Sequence, residues 1–400
     1  MTTNNKKPLD GIKVLDLTRV LAGPYCGMVL QDLGAEVIKI ENPKTGDDSR
    51  CFGPFKNGKS LYFTAINCGK KSLSLNLKEE EGKEILRELI KKSDVVLENF
   101  RPGTMEKFGL GYDVLKEINP RLIYAATSGF GHTGPDASKP AYDILVQARG
   151  GLMSLTGQPD SDPTIVGVSI GDILAGVFTA TGIATALYQR EKTGKGQKID
   201  VAMLDCQVAI MENAMARYQA TRSAPKPQGC KHPTVAPFQS FKASDRYFVV
   251  AVANDSLFKR LCCVLGCPEM ADDPLFITNE KRHANQPELE RQLQEIFITK
   301  TAQEWIDIIE AAGVPVSPIN DLAYVAEDPQ ILARNMLVDM KDPTLPGIQV
   351  TGNPIKMSAL TDITFREHAP EIGEHNREIL TKWLHFSEEE ITALKERNVI

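Results

Sequence analysis

The sequence predicts an α/β protein: a doubly wound parallel sheet holds most of the chain, and a smaller α+β domain holds the rest. Three observations predict it. Strand-like and helix-like segments alternate over the first half of the chain. At 400 residues the chain is longer than one hydrophobic core usually supports. Four prolines in "SAPKPQGCKHPTVAP", residues 223–237, then interrupt the pattern as a linker would.

The elements follow in order. "GIKVLDL" reads as a buried strand, "GPYCGMVLQDLG" as a helix closed by Gly34, and "AEVIKIE" as a second strand, which together make a βαβ unit. The pattern recurs in "KSLSLNL", the helical "KEEEGKEILRELIKKS", "DVVLEN" and, after another helix, "RLIYAATSGFG". Strands alternating with helices imply a Rossmann-like parallel sheet. Helical spacing runs from Asp172 to Lys192, "GQKIDVAML" reads as a strand, and residues 205–220 read as one helix. Beyond the linker come the strand "YFVVAVA", helices near 256–265 and 288–298, and "AQEWIDIIEAAG". A second proline-marked crossing, "GVPVSPIN", is expected to return the chain to the first domain, where "HNREILTKWLHFSEEEITALKERN" supplies terminal helices. The domain reading is therefore a large domain over 1–225, a small one over 226–320, and a return to the large one over 321–400.

Composition narrows the partners. A net charge of −6 speaks against non-specific nucleic-acid binding, which needs an excess of Lys and Arg facing phosphates. No stretch reads as a bilayer span, and "MTTNNKKPLDG" lacks the apolar core of a signal peptide, so no membrane partner is expected. Eight scattered cysteines fit a reducing, cytoplasmic setting rather than a disulfide framework. Small molecules are the expected ligands.

Few residues in the chain stand out as chemical. In "GVSIGDILAG" one carboxylate, Asp172, sits at the mouth of an apolar helix. Asp there is a favoured N-cap, and a carboxylate beside free helix N–H groups is also well placed for chemistry, so spacing leaves both roles open. "TRVLAGPYCG" with Glu41 further on resembles a dinucleotide site, yet only Gly23 and Gly27 are present, and the phosphate cradle is incomplete. A nicotinamide enzyme stands as an alternative. His368 and His375 in "EHAPEIGEHNRE" fit no compact zinc motif, and no metal site is expected. Cys262, Cys263 and Cys267 form no redox pair and read as core filler. Lys70, Lys71, Lys78, Arg101 and Lys107 lie at strand ends, where basic groups are either solvated or gather phosphates.

A longer set of segments carries a resemblance. "PLDGIKVLDLTRVLAGPYCGMVLQDLGAEVIKIENPKTGDDSR", "NCGKKSLSLNLK", "DVVLENFRPGTMEKFGLGYDVL", "GFGHTGP", "AYDILVQARGGLMSLTG", "GDILAG" and "REKTGKGQKIDVAML" are similar to the class III coenzyme A transferases, the formyl-CoA and carnitine CoA-transferase family. The likeness runs nearly end to end. "LTRVLAGP", "GLGYD", "HPTVAPFQSFKASD" and "GVPVSPIN" resemble the succinate–hydroxymethylglutarate group within it. It implies an interlocked homodimer, acyl-CoA and small carboxylic acids as substrates, and no permanently bound cofactor.

The resemblance also assigns residues. "GD" of "GDILAG" falls on the family's catalytic aspartate, which makes Asp172 the nucleophile. Coenzyme contacts carry over to Leu21 and Ala22 after the first strand, and to Asn42 after the second. "LNLK" supplies Leu75, Asn76, Leu77 and Lys78; "ENFRPG" supplies Asn99, Phe100 and Arg101; Lys107, Tyr142 and Asp143 complete the set. Leu21 stands where formyl-CoA transferase has a glutamine, and no glycine-rich covering loop lies between Pro237 and Asp255, so formate–oxalate specificity is not implied.

Moving coenzyme A between two acids without ATP requires that the thioester's energy never be lost to water, and a covalent carboxylate carrier meets that need. By its reference pKa an aspartate is ionised at pH 7. The family's racemase branch keeps the aspartate but pairs it with a histidine to shuttle an α-proton; here Tyr142 takes that place, and a neutral phenol serves the shuttle poorly. Arg19, where formyl-CoA transferase has a histidine, reads as a clamp for a second carboxylate, favouring succinate, glutarate or oxalate over long acyl chains. The plain alternative is that Arg19 pairs with Asp16, Asp47 or Asp48.

Overall fold

The computed structural model describes residues 7–400; the leader reading of the first residues lies partly outside them. The chain divides into two compact units, one of Met1–Met153, Ile165–Ser223 and Pro329–Ile400, the other of Ser154–Thr164 and Ala224–Asp328.

The first unit is built on six strands: β1 (Lys13–Asp16), β2 (Glu36–Glu41), β3 (Lys71–Ser74), β4 (Val95–Glu98), β5 (Ile123–Ser128) and β6 (Gln197–Ala202). All pairings are parallel and the order is β3-β2-β1-β4-β5-β6, the doubly wound arrangement. The central strands β1, β2, β4 and β5 send apolar residues to both faces because helices cover both sides. Leu15, Ile38, Val96 and Tyr124 join one core, with Leu86, Leu89 and Trp383, while Val14, Val37, Val95 and Ile123 join the other, with Ile183 and Leu187. Between them run α1 (Ala22–Asp32), α2 (Glu80–Ile90), α3 (Asp143–Arg149) and α4 (Ile170–Thr193).

α4 corrects one expectation, because it is long and apolar enough by length and composition to cross a membrane. Much of that apolar surface is spent inside the unit: Ala175, Ala180, Ile183 and Leu187 are buried. Residues 205–220 are likewise not one helix. Met203–Ala209 and Glu212–Thr221 are separate, and the chain turns between them so that Met211 is buried against Gly151.

In the second unit Phe238–Lys242 and Tyr247–Ala251 form an antiparallel pair, covered by Asp255–Leu265, Gln286–Phe297 and Ala302–Ala311. Cys262 lies in this core, as filler would. "GVPVSPIN" is not only a crossing: Val316–Pro318 is a third strand, pairing Val316 with Val250. Pro318 is tolerated because this is an edge strand, where a missing N–H breaks no ladder.

Candidate active site

Strand order reverses between β1 and β4, and in such sheets ligands bind beyond the carboxyl ends of the strands at that point. The loops leaving β1 and β4 meet there. Asn99 accepts from the Arg19 N–H and donates to the Arg19 carbonyl, both at 2.8 Å. The Arg19 guanidinium lies 5.3 Å from the centre of the Phe100 ring.

This junction separates two cavities. The larger, about 790 Å³, is walled by Arg19, Val20, Leu21 and Ala22, by Asn99, Phe100 and Arg101, by Tyr142 and Asp143, and by Asp172. The smaller, about 200 Å³, is lined by Asn42, Leu75, Asn76, Leu77, Lys78 and Phe108, and shares Arg19 and Phe100 with the first. Of the sequence-derived contacts only Lys107 lines neither cavity; it is exposed at the end of the short helix Thr104–Lys107. Tyr142 is 73 % exposed on the wall of the large cleft.

Asp172 does not cap its helix. Ser169 holds the N-cap position, and Asp172 sits in the first turn of α4, half-buried, with no side-chain hydrogen bond among the described residues. Two glycines seat it there. A Cβ at Gly171 would come within 2.7 Å of Gln207, and one at Gly176 within 2.7 Å of the Ala22 carbonyl, so Gly176 lets α4 lie against the start of α1. Asp143 fixes the turn, accepting from the Gly171 N–H at 2.7 Å and from Gln147 at 2.6 Å, and Gln147 accepts from Val166 N–H at 3.0 Å.

Burial, reinforced by the nearby Asp143 carboxylate, pushes Asp172 up to about 7. The expectation of a fully ionised aspartate at pH 7 is thereby corrected. Opposite stands Tyr62, whose phenol is pushed up to about 12 by burial and by Asp172. Tyr62 and its edge-on partner Phe52 belong to the large cleft and carry no sequence signal; Tyr62 reaches it from a short helix, Leu61–Asn67, capped by Ser60, and Phe52 from the end of the 3-10 turn Asp48–Cys51.

Behind the β1 loop lies a buried ionic cluster. Lys39 pairs with Asp47 at 2.7 Å and donates to the Thr18 carbonyl at 2.8 Å; Lys70 pairs with Asp16 at 2.9 Å and donates to Asn67 and to the Pro24 carbonyl. Lys70 therefore gathers no phosphate, and Lys71 is likewise engaged by Glu36 and Glu378. Glu41 is buried under Arg50, Ser72 and the Asp47 N–H, which removes it as a ribose ligand and with it the dinucleotide reading. The neighbouring Val20 has φ +66°, a left-handed conformation that costs a β-branched residue of order 1–3 kcal/mol. Among the described residues no group of three or more His, Cys, Asp or Glu is placed to hold a metal ion.

Comparison with known proteins fits this geometry. The family description "CoA-transferase family III" matches residues 9–376. The chain belongs to that family. This transferase is 49% identical over 370 residues to acetyl-CoA:oxalate CoA-transferase of Acetobacter aceti, covering 92% of this chain and 94% of the other. It is 39% identical over 398 residues to human succinyl-CoA:glutarate CoA-transferase, covering 99% and 91%. The crystal structure of a CAIB/BAIF family protein from Brucella suis superposes with a TM-score of 0.84 at 41% identity, covering 94% of the transferase and all of that chain.

Proposed function

We propose that this enzyme moves coenzyme A between small dicarboxylic acids through a thioester on Asp172. The observation that carries the reading is the unpartnered Asp172 carboxylate, set on the wall of a cleft whose other walls are the β1 and β4 loops. A carboxylate oxygen of Asp172 attacks the acyl-CoA carbonyl carbon, the C–S bond breaks, and the coenzyme thiolate leaves a mixed anhydride. The thiolate attacks the Asp172 side-chain carbon, releases the donor acid as a carboxylate, and forms the aspartyl-CoA thioester. An acceptor carboxylate reverses these steps. No proton is consumed, and the cleft must exclude water from both intermediates.

The smaller pocket beside Asn76 and Lys78 suits the nucleotide end of the coenzyme, with its thiol arm crossing Arg19 and Phe100 into the large cleft. Among the described residues no histidine lines that cleft, so an α-proton shuttle lacks its second base. Relatives named for oxalate and glutarate support dicarboxylates as substrates. Arg19 contributes: its partner Asp48 is half-exposed at 3.1 Å, a surface pair worth about 0–1 kcal/mol, so a substrate carboxylate displaces it at little cost. Exposed Val177, Phe178 and Tyr188 on α4, with Met215 and Tyr218 on the helix Glu212–Thr221, support burial against a second copy in a homodimer. A cytoplasmic setting fits the eight free thiols. Hydroxylamine added during turnover tests the core of the reading: it should modify Asp172 only when acyl-CoA is present, and modification elsewhere would refute it.

A further inference from the structure

The β4 loop that parts the two cavities is anchored from behind by a buried carboxylate that the reaction does not use. Glu98, the last residue of β4, lines neither cavity. One of its oxygens accepts from the Phe100 N–H at 2.8 Å and the other from the Tyr124 hydroxyl at 3.1 Å. The first bond fixes the loop at Phe100, which lines both cavities, and next to it Asn99 holds both polar groups of the Arg19 backbone.

The other groups around Glu98 come from each element packed against it. His132, in the loop after β5, points Nε2 at Glu98 from 3.8 Å, too far for a hydrogen bond, and that buried nitrogen has no partner among the described residues. Lys198 of β6 lies 3.1 Å from His132 Nδ1; an ammonium can only donate, so this contact places the ring proton on Nε2 and leaves the imidazole neutral. Burial and Lys198 both hold His132 below its ordinary pKa, so it brings no charge to Glu98 above pH 6.5. Asp200 of β6 is spent on the His132 backbone N–H at 2.9 Å, and Glu106 on the helix Thr104–Lys107 adds negative charge. Burial therefore prevails over the two donors and pushes Glu98 up to about 7. A hydrogen bond to an ionised acceptor is about twice as strong as one to a neutral acceptor, so the grip on Phe100 changes with that proton.

We infer that Glu98 is a positioning residue whose charge sets how firmly the Asn99–Phe100–Arg101 loop is held for the coenzyme, so that coenzyme affinity falls as this carboxylate takes up a proton. The inference rests on the coenzyme reading above.

The test is the Kd for free CoA, by calorimetry, in an Asp172→Ala background, where the nucleophile's own titration is absent. Glu98→Gln keeps an oxygen for the Phe100 N–H and an amide for Tyr124 but cannot ionise, so it holds the hydrogen bonding of the protonated form at every pH. Its Kd should match the parent's within about twofold at pH 6 and exceed it about fivefold at pH 8.5, the difference expected between a neutral and a charged acceptor. Titration of the coenzyme's own phosphate cancels in this ratio, since both proteins meet the same ligand at the same pH. Glu98→Ala removes the acceptor and should raise Kd at least about tenfold at both pH values. A role confined to stability would lower the melting temperature and leave the Kd of the folded protein unmoved. A Glu98→Gln ratio that is the same at pH 6 and 8.5, or a Glu98→Ala variant that binds as tightly as its parent, would overturn the inference. If the parent binds no CoA at either pH, it is the coenzyme reading itself that fails.

Discussion

Asp47 and Asp172 both line one side or the other of the β1 loop, and both are withdrawn from water, yet they titrate in opposite directions. Lys39 and the Ser49 hydrogen bonds overcome the burial of Asp47 and hold it down at about 2. Asp172 has no cation to answer its burial, only the repulsion of Asp143, and stands at about 7. A buried carboxylate with partners is scaffold; one left without them keeps its reactivity.

Removing each carboxylate is the sharpest way to separate them. Asp172→Ala should lower steady-state exchange at least about 10³-fold, as expected of a residue on which the whole cycle depends, while CoA still binds by calorimetry. A residual rate above a thousandth of wild type would place the chemistry elsewhere. Asp47→Asn should instead cost about 3–5 kcal/mol of stability by denaturant unfolding, because it leaves Lys39 buried against an uncharged neighbour. That loss depends on pH. A depressed folded pKa contributes stability above the unfolded value of 3.8 and loses it as pH falls toward 2, so the gap between variant and wild type should close below about pH 4.

Arg19 offers a smaller, selective effect. Arg19→Met should reduce kcat/KM about 10- to 100-fold for succinate or glutarate and leave monocarboxylates nearly unchanged. Equal losses for both acids would make Arg19 part of the loop only.

The smallest effect reverses the sign of the Asp47 result. Because the folded pKa of Asp172 lies above its ordinary 3.8, the native state retains a proton that the unfolded chain has lost between about pH 4 and 7, and stability falls as pH rises through that window. Asp172→Asn removes the penalty. Its melting temperature should exceed wild type at pH 8 by the equivalent of roughly 1 kcal/mol, after allowance for the open cleft, and match it near pH 4. The same ionisation gives kcat/KM of the wild-type enzyme an acid limb near pH 7.

The alternation of strands and helices made the sheet legible, because parallel strands covered on both faces read as continuous apolar runs such as "IKVLDL". The break after Ala209 and the strand Val316–Pro318 were not, since both are set by tertiary packing rather than by local period. Within the site, Asp172 and the β1 and β4 loops were legible through motif resemblance. Asp47, Tyr62 and the left-handed Val20 were not: an acidic residue in "KTGDDSR" looks like any solvated turn until Lys39 is seen buried beneath it. Lys70 and Glu41 misled for the same reason, as sequence shows a charge but not its partner.

The account stands on a covalent bond to one side chain. Mass spectrometry of the protease-digested enzyme, quenched after incubation with succinyl-CoA and no acceptor acid, reads it directly. The peptide carrying Asp172 should gain the mass of coenzyme A less one water, and lose it when glutarate or oxalate is added before the quench. An unmodified Asp172 peptide under conditions of active exchange, or an adduct on any other residue, would contradict the account.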